Sequence, residues 1–200
     1  MTGPLIYYVR HGQTDWNADL RFQGRQDIPL NDTGRDQALS FGVKLHTILG
    51  QAEGYEFVSS PLSRARETME ILRTQMGLPP EHYETDDRLI EVSYGTLEGV
   101  TQPELKAKDR DLYYYRKQNA WTFRPENGES QQDVLTRASD WYSNLKQNQK
   151  YVVAAHGAVG RVLRHHLAGV PTDEVARYPF PQDKIFLFSG GTEHIIDATS

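Results

Sequence analysis

The 200-residue chain contains no cysteine. That excludes disulfides, thiolate metal sites and a cysteine nucleophile, and it leaves the redox compartment undetermined. Long apolar runs are missing as well, and no stretch approaches the length of a membrane span. No basic region followed by a long apolar segment precedes Arg10, so a signal peptide is not expected. Nor is there a basic excess: 22 Lys and Arg stand against 27 Asp and Glu, a formal net charge of −5. Bulk attraction to nucleic acid or to an anionic membrane is therefore not expected. A Gly-x-Ser-x-Gly nucleophile elbow is absent, and the lack of His-x-His, His-Glu-x-x-His and a calcium loop argues against metal catalysis. The expectation is a soluble, cytoplasmic protein.

The length suits one domain, residues 1–200, able to bury a sizeable core. Leu5 to Val9 is an apolar, strand-like run that stops at Arg10-His11-Gly12. A buried parallel strand looks like this where it leaves its sheet. In open α/β folds that carboxyl edge is where ligands bind. Taken alone, the run reads equally as a strand followed by a polar turn.

The polar stretch Gln13 to Asp32 is long for a simple connection, and the spaced Trp16, Leu20, Phe22, Ile28 and Leu30 predict an ordered loop pinned to the body. Asn31 or Asp32 caps a helix to about Leu49, with Ala38, Phe41, Leu45, Ile48 and Leu49 on one face. Phe57-Val58-Ser59 reads as a second strand. Ser60-Pro61 then predicts a helix start, serine as N-cap and proline in the first helical position. Ala65, Met69, Leu72 and Met76 stripe that helix, which carries Arg64 in its first turn. Arg64 and Arg66 lie about 200° apart around it, so they cannot serve one site.

Glu91 is flanked by Leu89, Ile90 and Val92, which should hold it near the core. A carboxyl desolvated there favours its neutral form and could act as an acid, with Glu98 the competing candidate. Residues 100–128 interleave aromatic and basic side chains, as in Tyr113-Tyr114-Tyr115-Arg116-Lys117. They read as an amphipathic helical excursion with basic stems over rings, or as a lid or substrate wall. Single-strand nucleic-acid binding fits the acidic chain poorly. Ser130 or Glu129 starts a further helix with Val134, Ala138 and Trp141 on its apolar side. Tyr151 to Ala155 then repeats the opening theme and ends at His156-Gly157. If both strands lie in one parallel sheet, both histidines emerge at one edge and can share a pocket. Ile185 to Phe188 and His194 to Ile196 read as final strands around Gly190-Gly191.

Two histidines, two arginines and a glutamate at one sheet edge make an anion pocket suited to a phosphoryl group. Phosphoryl transfer needs positioning and charge stabilisation above all. A neutral imidazole can attack phosphorus if its other nitrogen is held by an acceptor such as a backbone carbonyl. A glutamic acid can protonate the leaving oxygen and afterwards activate water.

The chain resembles the histidine phosphatase superfamily, also called phosphoglycerate mutase-like. The resemblance rests on Arg10-His11-Gly12, Asn17 and Phe22-Gln23-Gly24, on Ser60-Pro61-Leu62-Ser63-Arg64-Ala65, on Leu89-x-Glu91, on Gly128-Glu129-Ser130, and on Ala155-His156-Gly157, in the family's order. It implies a three-layer α/β fold, with a mainly parallel central sheet and helices on both faces. It further implies that His11 is the phosphorylated nucleophile and Glu91 the proton donor, with Arg10, Arg64 and His156 completing the phosphate pocket. Asn17 and Gln23 would contact phosphoryl group or substrate, and Gly24 or Ala158 would add backbone contacts. No metal or organic cofactor is implied, and Glu129 and Ser130 read as supporting structure. The expected partner is a small phosphorylated metabolite; the oligomeric state is left open. Family mutases are longer, so a phosphatase of small phosphomonoesters is preferred to a mutase. A non-catalytic phospho-ligand or partner-binding module on the same fold is the reading from another class.

Overall fold

The computed structural model describes residues 3–175 and 180–199. Its elements are, in order, β1 (Leu5–Arg10), α1 (Asp15–Ala18), α2 (Asp32–Leu49), β2 (Tyr55–Ser59), α3 (Ser63–Gln75), β3 (Glu84–Thr85), α4 (Gln102–Lys108), α5 (Arg110–Gln118), α6 (Gln131–Ser143), β4 (Lys150–Ala155), α7 (Gly157–Ala168), α8 (Thr172–Val175), β5 (Lys184–Ser189) and β6 (Thr192–Asp197). The strands form one sheet in the order β3-β2-β4-β1-β5-β6. The first four run parallel, and β5 and β6 join antiparallel.

Successive side chains of a strand face opposite ways, and β1 uses both sides. Ile6 and Tyr8 enter a core with Trp141 of α6 and Val162 and Leu163 of α7. Tyr7 and Val9 enter the other, with Phe41 and Leu45 of α2 and Met69 and Leu72 of α3. Strands covered on both faces read as continuous apolar runs, which is why β1 and β4 stand out in the sequence. The result is the expected three-layer, mainly parallel α/β fold. Truncating the buried Trp141 to alanine would cost about 3–5 kcal/mol.

Local expectations need correction at three places. Leu20 pins nothing: it is 76% exposed with φ 58°, while Phe22 and Leu30 are the buried anchors of that loop. Ile48 is exposed on α2. And α3 starts at Ser63, with Leu62 rather than Ser60 in the N-cap position. The reason is pairing. Ser60 N–H still donates to Ala154 O at 3.0 Å, so the chain has not left the sheet. The cap comes from elsewhere: Asp27 Oδ1 accepts from Ser63 N at 2.9 Å and from Ser63 Oγ at 2.8 Å.

Residues 100–128 hold α4 and α5, joined at Asp109. Leu105 is buried against Phe22 and Leu97, but α5 has no buried residue. Basic groups do lie over rings: Arg116 is 4.3 Å from the Phe22 ring centre and Lys106 5.7 Å from that of Tyr113. Among the described residues no helix is long and apolar enough to cross a membrane.

Candidate active site

The register pairs Arg10 with Ala155 and Ser59 with Ala154. His11, Ser60 and His156 therefore leave adjacent parallel strands at one edge. His11 N–H donates to Ala155 O at 2.9 Å, fixing the two strand ends together. Both imidazoles are buried, with ring centres 5.1 Å apart. The two His-Gly strand ends meet as their repetition in the sequence suggests.

His11 Nδ1 lies 2.7 Å from Gly12 O. A carbonyl can only accept, so Nδ1 carries the hydrogen and Nε2 keeps its lone pair. Arg64 Nε donates to that Nε2 at 3.2 Å. Burial, and then the charges of Arg64 and Arg10, hold the His11 pKa well below its usual 6.5. Its neighbour has to be glycine: a Cβ on residue 12 would stand 2.1 Å from Gly34 O.

Arg64 is completely buried in the first turn of α3. Its Nη1 donates to Gln26 O and its Nη2 to Gly24 O, each at 2.8 Å. Burial lowers its pKa to about 10. Arg10 donates through Nη1 to Phe180 O at 2.8 Å, and its buried Nε has no partner among the described residues. Burial, then the charge of Arg161, lowers the Arg10 pKa. Among the described residues neither Arg10 nor Arg64 pairs with a carboxylate. Gln23 Oε1 accepts from Thr14 Oγ1 and Asn17 Nδ2, while Gln23 Nε2 is a buried donor without a partner. His156 Nε2 lies 2.6 Å from Ser60 Oγ, its Nδ1 is buried and unpartnered, and burial followed by Arg64 holds its pKa well below 6.5. The hydroxyl expected to cap α3 thus orients an imidazole instead. Arg66, as expected, faces away, donating to Tyr83 Oη.

Glu91 is half-buried between the buried Leu89 and Val92. It accepts from its neighbour's N–H, Val92, at 2.9 Å and from Ala158 N at 3.2 Å, in the first turn of α7. The Ala158 N–H expected to contact a ligand is thus already engaged by Glu91. Glu98 is occupied otherwise, accepting from Arg25 N, Gln26 Nε2 and Tyr94 N. It fills the space beside Gly24, where φ is 58° and a Cβ would meet its Oε1 at 2.1 Å. Glu129 holds Ser93 N and pairs with Arg25 and Arg137. Only Glu91 of these three carboxylates lines the cavity formed by the strand ends, together with Arg10, His11, Asn17, Gln23 and Arg64.

That cavity has a volume of about 120 Å³. A larger groove of about 670 Å³ runs past Tyr55, Phe57 and Tyr83. Size does not make it the site: neither strand-end histidine lines it, and two charge pairs within it, Asp86 with Arg88 and Glu56 with Lys146, match each other. Gly24 also lines the small cavity; His156 adjoins it through the His11 ring, and Ala158 through Glu91. Four contributors escaped the sequence reading, among them Arg21, which lines the wall and donates to Gly99 O. Arg161 lines the wall one helical turn after Gly157, a spacing that could have revealed it. Tyr94 lines it too. Gln182 donates to His11 O at 3.0 Å and Asn17 Oδ1 at 2.9 Å from a loop without periodic signal. Among the described residues no three His, Asp or Glu side chains group as a metal site.

Known proteins share this arrangement of chain. YhfR of Bacillus stearothermophilus superposes with a TM-score of 0.80 at 29% identity, covering 98% of this chain and 96% of that one. A mycobacterial glucosyl-3-phosphoglycerate phosphatase in complex with VO3 gives 0.75 at 26% identity, over 96% and 97%. The 2,3-bisphosphoglycerate-dependent phosphoglycerate mutase of Bradyrhizobium sp. (strain BTAi1) is 31% identical over 173 residues, 82% of this chain and 80% of that protein. A mutase covered to that extent is not much longer than this chain, so length does not separate the two activities. The profile of the histidine phosphatase superfamily (branch 1) matches residues 6–192. By that match the chain belongs to the histidine phosphatase superfamily.

Proposed function

We propose that the protein hydrolyses small phosphomonoesters through a phosphohistidine on His11, without a metal, with Glu91 as the proton donor. The observation that carries this reading is the state of His11. Its Nδ1–H is tied to Gly12 O, and its neutral Nε2 stands beside Arg64 in a cavity that also holds Glu91. The Nε2 lone pair attacks phosphorus as the ester P–O bond breaks, and the leaving oxygen takes the Glu91 proton. Arg10 and Arg64 neutralise the equatorial oxygens, with His156 as a further donor through Nδ1 when Ser60 donates to its Nε2. Gln23 Nε2 supplies another N–H. Glu91, now a carboxylate, takes a proton from water; the water oxygen bonds to phosphorus, the N–P bond breaks, and neutral His11 returns.

The names of curated relatives favour a second reading, phosphoglycerate mutase, in which the phosphoryl group returns to a reoriented intermediate. The test measures inorganic phosphate released from a chromogenic phosphomonoester with chelator present, for the protein and for His11→Ala. A parallel assay follows isomerisation of 3-phosphoglycerate. Phosphate release lost in His11→Ala supports hydrolysis. Isomerisation without net release makes it a mutase. If the two proteins are equally silent in both assays, a binding module is the better account.

A further inference from the structure

β5 pairs antiparallel with β1, Val9 standing opposite Ile185, so the residues just before β5 lie beside those just after β1. Phe180 locks that approach in place. Its ring stacks on Phe186 at 3.9 Å between centres, meets Tyr8 edge-on at 5.6 Å, and fills the room left by Gly160, where a Cβ would come within 2.3 Å of it. Two residues on, the Gln182 side-chain nitrogen donates both to His11 O at 3.0 Å and to Asn17 Oδ1 at 2.9 Å. A carbonyl only accepts, so the nitrogen of Gln182 has to face it. The next amide is fixed in the same way. Asn17 Oδ1 also accepts from Thr14 N at 3.2 Å, and a backbone N–H only donates, so Asn17 turns its Nδ2 the other way, onto Gln23 Oε1 at 3.1 Å. Gln23 Oε1 takes a second donor, Thr14 Oγ1, at 3.0 Å. Gln23 Nε2 is left as a buried donor without a partner among the described residues, on a side chain that lines the strand-end cavity.

Resting on the hydrolytic reading above, we infer that Gln182 is a positioning residue: through Asn17 it turns the Gln23 amide so that an N–H, not a carbonyl oxygen, meets an oxygen of the phosphoryl group. The three carboxamides run in one direction, Gln182 to Asn17 to Gln23, each nitrogen donating to the next oxygen. Reversing any one of them would bring like atoms face to face. Bonds in such a chain polarise one another, which strengthens the last donor towards an anion. The same Gln182 nitrogen holds the backbone of His11, so the donor and the nucleophile are tied to one group. A donor held ready in this way acts where charge develops in the transition state. Gln182 itself does not line the cavity, so it works only through the residues that do.

The test measures kcat and KM on a chromogenic phosphomonoester for wild type, Gln182→Met, Gln23→Met and the double variant; methionine keeps the length and removes the amide. Gln182→Met should lose about threefold to tenfold in kcat/KM, as for one hydrogen bond, and mostly in kcat. Gln23→Met should lose about 10². The double variant should match Gln23→Met within about twofold, because the tie has nothing left to orient. Losses that multiply in the double variant, or a Gln182→Met protein as active as wild type, overturn the inference. A second measurement needs neither folded variants nor turnover. In 1H–15N spectra of wild type, the Gln23 side-chain amide signals should shift when vanadate, a stand-in for the phosphoryl group, is added. Signals unmoved by vanadate overturn the inference. Shifted Gln23 signals in a wild type that hydrolyses nothing overturn the hydrolytic reading and uphold the orientation of the amide.

Discussion

The strand-end cavity and the 100–128 segment are neighbours built on opposite principles. At the strand ends His11, Arg64 and His156 are buried, and each is held by partners just past the strands, in α3 or in the 13–31 loop. In α5 no residue is buried, and its Arg116, like Lys106 of α4, is held mainly over aromatic faces. The first region can fix an attacking nitrogen because moving it would break strand pairing. In the second, α5 can vary because none of its residues is buried, while Leu105 of α4 anchors the segment. Under the proposed function, chemistry would be tied to the core and choice of substrate to the periphery.

Changes in the first region should be severe and chemical. Glu91→Gln keeps the shape but cannot give up a proton, so hydrolysis of esters with poor leaving groups should drop by about 10²–10⁴. Esters with acidic leaving groups should suffer far less. Equal losses for both kinds, measured as kcat, would show that Glu91 is not the acid. Arg64→Leu removes a charge from the pocket and the donors to Gln26 O and Gly24 O. Its kcat/KM should fall by about 10²–10³. A loss under tenfold would contradict its place at the phosphoryl group.

Much of this contrast was legible in the chain, for physical reasons. Leu5–Val9 and Tyr151–Ala155 read as buried strands because both faces of the sheet are covered, and Arg10-His11-Gly12 and His156-Gly157 mark where the cover ends. The stripe Ala65, Met69, Leu72 and Met76 emerged for the same reason. Ser60 misled because its local signature is a cap, whereas its hydroxyl lies against an imidazole 96 residues away in sequence. The true cap, Asp27, is equally remote, 36 residues before Ser63. Local pattern cannot carry such a partner. Gln182 stayed hidden likewise, since a loop amide leaves no period to read.

A subtler effect of the buried pocket concerns acid. Burial holds His11 and His156 neutral in the folded state, their pKa values well below 6.5. The unfolded chain binds protons from about pH 6.5 downward, so it binds more than the folded chain there. Stability should fall as the pH drops below about 6.5, by up to about 1.4 kcal/mol per pH unit for each histidine, until the folded-state pKa is reached. Urea midpoints between pH 7 and 5 should therefore decline more steeply for wild type than for His11→Gln. Parallel declines would place His11 in a solvated setting. The smallest effect belongs to the periphery. Arg116→Ala loses a cation–π contact with Phe22 worth about 0.5–1 kcal/mol. Its Tm should drop by a few degrees at most, with kcat/KM within about tenfold of wild type. A loss as large as that of Arg64→Leu would erase the distinction between the two regions.

The most direct measurement is to quench the protein in alkali during turnover of a phosphomonoester and locate the bound phosphoryl group by 31P NMR and peptide mass spectrometry. A phosphoramidate on the His11 imidazole, lost on acidification and absent from His11→Ala, is the predicted result. Phosphate carried by another side chain, or steady turnover by His11→Ala, would contradict the account.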